Sequence, residues 1–522
     1  MTTTLTPRPP ATRRVERGGF LAALHAEWTK FRTVRGWVLA MAAALLATIV
    51  VGLLGTAAPG PGGSGTSTGT PSYPKGPGGE AVNDNFYLVH RTLTGDGSLT
   101  VELRSLTGAA DTGIGREPAS GAQPWAKAGI IMKESLTRGS RYAAVMATGG
   151  HGARMQYEFT HDTAGPPGKV SADSPRRLRL VRSGDSLTGY VSTDGSHWSR
   201  VDSVKVPGLP RTVQAGFFAA SPQAMRETGA GAGFSPAAAT GTFGTPFLTG
   251  SWSPGAWRGT QVGGDAGTSG SYSNTIKGGF TRTGGGFTVT GAGDIAPVVG
   301  GPVMGGGFSV ENFLVGTFAG LLVVIAVSTV FITGEYRHGL LRTTMTAVPP
   351  RGRVLGAKAL VAGGVAFTIG LVAAAITIPV GKSSALGRGF HVFPVPAATE
   401  LRVMAGTGLL CAAAAVLALG VGTLLRRSAT AVALVIASIV LPFLLATSGV
   451  LPPGVSEWLL RVTPAAGFAV QQTLPHYAHV LSVYEPSTGY YPLTPWTGVA
   501  VLCGYAALAF GLAVVRLRGR DV

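Results

Sequence analysis

Six apolar stretches, at roughly 37–57, 313–333, 359–380, 403–424, 430–449 and 497–515, contain no Asp, Glu, Lys, Arg or His. A helix needs about 20 such residues to cross a bilayer, and a central Arg or Asp costs about 2.5–3.5 kcal/mol on insertion. Nothing in these segments opposes insertion, so the expected fold is a polytopic α-helical membrane protein of six spans. Ion-coupled carriers and proton pumps keep ionisable groups at membrane depth. None is expected here, so energy for active transport would come from outside the bilayer.

The 522 residues divide into this membrane part and a large insertion at 58–310, between the first and second spans. The net charge of +18 is unevenly placed. Arg8, Arg13, Arg14, Arg17, Lys30, Arg32 and Arg35 precede the first span, and Arg337, Arg342, Arg351, Arg353 and Lys358 lie between spans two and three. Arg426 and Arg427 separate spans four and five; Arg516, Arg518 and Arg520 follow the last. The positive-inside rule makes these segments cytoplasmic, with both termini inside and 58–310 extracellular. Topology explains the basic charge, and no nucleic-acid partner is needed. The first span, with its long basic lead, reads as a retained anchor and not a signal peptide. Cys411 and Cys503 fall inside spans, which leaves the outer domain without a disulfide.

Along the chain, residues 1–36 form a cytoplasmic N-terminus in which 18–36 reads as an amphipathic helix. Phe20, Leu24, Trp28 and Phe31 make its apolar stripe, and Glu27, Lys30 and Arg32 its polar side. Such a helix suits the inner leaflet; the alternative is an inward extension of the first span. Residues 58–79, rich in Gly, Pro and Ser, read as a tether. Over 80–222, short alternating segments separated by turn residues predict an antiparallel β-sandwich or barrel. Leu99, Val101 and Leu103 alternate with polar residues, as do Val213, Ala215 and Phe217. A hairpin is expected from Leu187–Ser192 through Asp194-Gly195 to Trp198–Val201. The Gly-rich 223–310 reads as a looser appendage, or as late strands returning to the sandwich. In the outer loop 450–496, Ser456 is placed to cap a short helix, and Trp458, Tyr490, Tyr491 and Trp496 suit a membrane interface.

The segment 334–358 holds Glu335-Tyr336-Arg337-His338-Gly339, then Arg342, then Pro349-Pro350-Arg351-Gly352-Arg353 and Ala357-Lys358. On charge alone its arginines could either fix topology or pair with acidic groups of a cytosolic partner. The segment, read as Glu-Tyr-Arg-x-Gly and Val-Pro-x-Arg-x-Arg-Val-Leu-x-Ala-Lys, resembles the first cytoplasmic loop of ABC-2-type transporter permeases of high-GC Gram-positive bacteria. Ala26-Glu27-Trp28-Thr29-Lys30-Phe31-Arg32 is similar to their interfacial helix, and Pro464–Ala469 to a segment before their last span. The likeness covers 18–57 and 311–522, so 311–522 would be a five-span core completing six spans with 37–57. It implies a half-transporter that pairs with a second half, identical or not, and docks a cytosolic ATPase. It also implies coupling roles for Glu335, Tyr336, Arg337, Gly339, Arg342, Arg351 and Arg353, and for Glu27, Trp28, Lys30 and Arg32. The chain would bind no cofactor; ATP and magnesium would sit on the partner. The residues agree, since the nearest Walker-like run, Gly381-Lys382-Ser383-Ser384, has Ile376 where the first glycine belongs.

Within 80–222, Gly95-Asp96-Gly97-Ser98-Leu99-Thr100, Pro124-Trp125-Ala126-Lys127-Ala128-Gly129-Ile130, Leu180-Val181-Arg182-Ser183-Gly184-Asp185 and Ser192-Thr193-Asp194-Gly195-Ser196-His197-Trp198 resemble the concanavalin-A-like lectin/glucanase sandwich. Glycoside cleavage needs two carboxylates about 5–10 Å apart. Glu102 has Thr100 and Arg104 as same-face neighbours and Glu158 stands alone, so a non-catalytic subunit is expected. Trp125, Tyr142, Asp194 and Trp198 are candidates for binding cell-wall glycan. The competing reading makes Asp194-Gly195 a turn and Trp198 a core ring. Asp294, in Gly293-Asp294-Ile295-Ala296-Pro297, is similar to an insertion in relatives of the permease and receives no role. The histidines are scattered and predict no metal site. The expected function is thus a plasma-membrane permease subunit exporting a hydrophobic or amphipathic compound. The alternative is a membrane-anchored surface glycan-binding or sensing protein.

Overall fold

A computed structural model describes residues 19–55, 73–110, 119–228, 231–263, 276–299, 307–337, 351–388 and 390–518. Six of its helices are long and apolar enough to cross a membrane. They are α2 (Arg35–Leu54), α4 (Thr317–Arg337), α5 (Arg351–Gly387), α6 (Ala397–Leu425), α7 (Ser428–Thr447) and α9 (Pro495–Arg518). Each overlaps one expected apolar stretch; α5, α6 and α9 contain theirs whole and run past it, α5 furthest. Three short helices accompany them: α1 (Phe20–Thr33), α3 (Val310–Phe313) and α8 (Pro453–Val462).

Small residues set how closely the bundle packs, because the van der Waals term that holds such helices together needs near backbones. A Cβ on Gly370 of α5 would stand 2.7 Å from the Thr407 carbonyl oxygen and 2.9 Å from Cys411 Sγ of α6. A Cβ on Gly316, entering α4, would meet the Thr48 carbonyl oxygen of α2 at 2.1 Å. No side chain fits at either crossing.

Among the described residues the insertion's regular structure is all β. Nine strands of its fifteen-stranded sheet follow the path Ser199–Lys205, Ser186–Ser192, Arg176–Ser183, Phe86–Ala110, Thr212–Ala220, Lys127–Lys133, Tyr142–Thr148, Ala153–Tyr157, His161–Ala164. The 25-residue strand Phe86–Ala110 stitches the fold together. It pairs with Thr212–Ala220 and Arg176–Ser183, and also with the late strands Ala237–Phe243, Phe247–Trp252 and Arg258–Val262. These late strands therefore return to the sandwich, while Ala224–Thr228 and Gly231–Ser235 pair only with each other among the described residues. The expected hairpin is present as Ser186–Ser192 with Ser199–Lys205.

Both faces of the central strands are buried. Ala128, Ile130 and Met132, with Val145 and Phe217, point into the main core, as period-2 alternation requires. Ile131, Tyr142, Ala144, Met146 and Phe218 fill a second core with Val82, Phe159 and Ile295. That second face also receives the helical domain: His479 Nε2 lies 2.9 Å from the Phe159 carbonyl oxygen. Tyr73, Ala81 and Val298, where the chain enters and leaves the sandwich, pack with Phe393, Leu474 and Tyr490. The 450–496 segment is thus a seat for the sandwich. Its helix α8 starts at Pro453, so Ser456 lies inside the helix, buried, and does not cap it. The 3₁₀ segment Pro464–Gln471 is buried along its whole length, with Phe468 stacked 3.8 Å from Phe443.

Burial lowers the imidazoles of His479, His90, His151 and His391 below their usual 6.5. The folded state resists protonation that the unfolded chain accepts, so these groups remove stability as pH falls through about 6.5. Thermal melting at about pH 7 and about pH 5.5 should show a lower midpoint at the acid value, and His479→Gln should shrink the drop. An undiminished drop in the variant rules out a contribution from the seat.

Candidate functional site

The end of the bundle remote from the sandwich carries a buried ion cluster drawn from three helices. Lys358 Nζ of α5 donates to Glu27 Oε2 of α1 at 2.6 Å and to Glu335 Oε1 of α4 at 2.7 Å. Lys30 Nζ donates to Glu27 Oε1 at 3.0 Å and Glu335 Oε1 at 3.2 Å. Lys358 is fully buried, Glu27 is 2% exposed and Glu335 7%. Isolated charges would not survive such burial; paired and hydrogen-bonded ones can. Desolvation depresses the Lys30 ammonium, but the bonds to Glu27 and Glu335 outweigh it and leave its pKa raised.

An aromatic group packs against the cluster. The Phe331 ring lies 4.5 Å from Lys358 Nζ, Phe31 meets Phe331 edge-on at 5.6 Å, and Trp37 meets it at 5.0 Å. Extended backbone at Val34 separates α1 from α2 and turns α1 back over this surface. The face that α1 buries is Ala23, Glu27 and Phe31. This corrects the expected stripe: Glu27 points inward because Lys358 meets it there, while Phe20 and Trp28 are exposed. Tyr336 is half-buried, with the Arg426 guanidinium 5.1 Å from its ring.

The expected coupling residues therefore divide. Glu27, Lys30 and Glu335 come together, and their carboxylates and ammonium face one another inside the chain. Trp28, Arg32 and Arg353 are exposed. Arg337 and Arg351 end and begin α4 and α5, and their side chains lie outside the described residues, as do Gly339 and Arg342 entirely. Lys358 is the centre of the cluster; the sequence sets it among the topology-fixing basic residues and at the end of the permease-like motif, with no coupling role of its own. Its signal was a lysine seven residues into an apolar helix, where a partner is needed.

The glycan candidates do not gather. Tyr142 is fully buried against Phe159, 4.9 Å between ring centroids, and Trp125 is 5% exposed and stacked on His151 at 3.9 Å. Asp194 and Trp198 sit together on the hairpin. Asp194 accepts hydrogen bonds from the backbone N–H of Ser196 and His197 and lies 2.6 Å from His197 Nδ1. These contacts, His197 first, hold its carboxyl well below the usual range. That is turn-closing chemistry. One face of Trp198 carries the Arg179 guanidinium at 3.9 Å, and its Nε1 donates to Gly195 O. Asp294 has a clear place: it accepts from Lys127 Nζ at 2.6 Å, both fully buried. Among the described residues no group of three or more His, Cys, Asp or Glu could hold a metal.

No family model matches the chain, and neither does any curated protein. Among solved structures it is similar to a scytalido-glutamic peptidase with a transition-state analogue inhibitor (12% identity, TM-score 0.27), covering 40% of this chain and 98% of that one. A functionally unknown protein from Saccharomyces cerevisiae gives 16% identity and TM-score 0.17, covering 31% of this chain and 73% of that one.

Proposed function

We propose that the chain is the permease subunit of an ABC-type exporter. It moves a hydrophobic or amphipathic compound, and a separate cytosolic ATPase binds ATP and magnesium and supplies the energy. The observation that carries this reading is the ion cluster. It ties the surface helix α1 to both stems flanking residues 338–350, so a push on either is delivered to α4 and α5 together. The exposed Trp28, Arg32 and Arg353, with Arg337, Gly339, Arg342 and Arg351, are the groups that meet the ATPase. Glu27, Lys30, Glu335 and Lys358 carry the movement inward, and Tyr336 links it to Arg426.

The basic residues at this end support a cytoplasmic assignment under the positive-inside rule. The sandwich then lies outside the plasma membrane, seated on the outer loop. A second permease half, identical or different, completes the path. The alternative, a membrane-anchored glycan-binding or sensing protein, has the burial of Trp125 and Tyr142 against it.

Tagged full chain isolated in mild detergent from its native cells should bring a Walker-type ATPase with it. Arg351→Glu combined with Arg353→Glu should abolish that recovery while the permease stays monodisperse. Undiminished recovery, with ATP hydrolysis unchanged, removes the coupling assignment.

A further inference from the structure

A second polar centre lies at the sandwich end of the bundle. A cavity of about 240 Å³ is bounded by the α3 segment, the end of α7 and the turn at 486–491. Its walls include Glu311, Val315, Phe443, Leu444, Thr447 and Tyr491. Glu311 is 7% exposed. Its Oε2 accepts from the Thr473 backbone N–H at 3.1 Å and from the Thr473 hydroxyl. Its Oε1 has no hydrogen-bond partner.

A buried carboxylate oxygen left unpaired costs about 1–3 kcal/mol or more, a cost that a bound donor would remove. Burial lifts the acid to about 6, against the Thr473 bonds that favour its charge, so at neutral pH it is mostly ionised. Arg402 of α6 interacts with that charge, and its guanidinium donates to Gln472 O. The chemistry of the walls narrows the ligand. One carboxylate oxygen cannot satisfy a hard divalent cation, which takes about six oxygens. Phe443 and Tyr491 present aromatic rings, which favour an organic cation. Val315 is 45% exposed and Leu444 40%, so the apolar rim opens on the flank of the bundle.

We propose that this cavity binds the primary ammonium head of an amphiphile. The head donates to Glu311 Oε1, and the alkyl tail runs out between Val315 and Leu444 along the bundle's lipid-facing flank. This rests on the preceding reading for its orientation, which puts the rim in the outer leaflet, and it names the cargo class of that transporter. The volume suits a head and its first few carbons; a longer tail stays in lipid.

The test uses full-length chain in phosphatidylcholine nanodiscs, without an ATPase, titrated with dodecylammonium and corrected with empty discs. Saturable binding is expected, with dodecanol competing weakly. Glu311→Gln should weaken binding at least about tenfold, the lower range for a charge-assisted hydrogen bond. Thr447→Trp, which fills the cavity without touching the charge, should abolish it with an unchanged melting temperature. Exchanging part of the lipid for phosphatidylethanolamine separates two sources of the head. Competition several-fold or stronger identifies a membrane aminolipid, and no competition a free amphiphile; both retain the site. Equal affinity in wild type and Glu311→Gln, or equal binding of dodecanol, overturns it. Because no ATPase is present, that failure leaves the permease reading standing, and lost ATPase recovery would leave this site standing.

Discussion

Lys358→Met is expected to be among the most damaging single substitutions in the helical domain. It leaves Glu27 and Glu335 buried without the ammonium that bridges them, and stranding a buried charge costs about 3–5 kcal/mol. Lys30 is 39% exposed and already shared, so it compensates only in part. The prediction has two readouts. Melting of the purified chain should fall sharply, and α1 should lose hydrogen-exchange protection before α4 and α5 do. The triple variant Glu27→Gln, Glu335→Gln, Lys358→Met removes both stranded charges and should recover most of the stability. It should not recover ATPase stimulation if the ionic form of the knot transmits the stroke. A Lys358→Met protein as stable as wild type would show that the cluster does not hold α1 in place.

Asp84→Ala is expected to unfold the sandwich at growth temperature. Asp84 Oδ2 accepts from Lys133 Nζ at 2.8 Å and from the Gly139 backbone N–H at 2.7 Å, with both side chains fully buried. Removing the acid strands an ammonium beside the Tyr142 and Phe159 rings, 5.7 and 5.6 Å away. The penalty is again about 3–5 kcal/mol, and the neutral double variant Asp84→Leu, Lys133→Met should regain much of it. Near-ultraviolet circular dichroism of the full chain reads the loss, since four of the eight tryptophans lie in the insertion. If the single variant melts with the wild type, water reaches this pair and the second face is not a sealed core.

Much of this architecture is legible in the residues. An uncharged run near 20 residues can be recognised without knowing its neighbours, and all six were. Alternation fixed the strands at 99–103 and 213–217 and the 187–201 hairpin for the same reason: period and turn chemistry are local. What escaped depends on partners far away in the chain. Glu27 looks like a polar-face residue until Lys358 arrives from 331 positions away. Lys127 and Lys133 look like strand-end solvents of charge until Asp294 and Asp84 meet them on the second face. Asp294 carried no legible role because its partner lies 167 positions away. The Gly-rich 223–310 hid its strands because glycine weakens the alternation signal that marks them.

Everything proposed for the two ends of the molecule depends on which side of the membrane each occupies. A variant lacking Cys411 and Cys503, carrying one new cysteine at Ser196 or at Arg353, allows a membrane-impermeant maleimide to decide it in intact cells. The prediction is labelling of the Ser196→Cys chain without lysis, and of the Arg353→Cys chain only after the membrane is opened. Labelling of Arg353→Cys in intact cells, with Ser196→Cys protected, would put the sandwich in the cytosol and contradict the assignment of an ATPase-facing end.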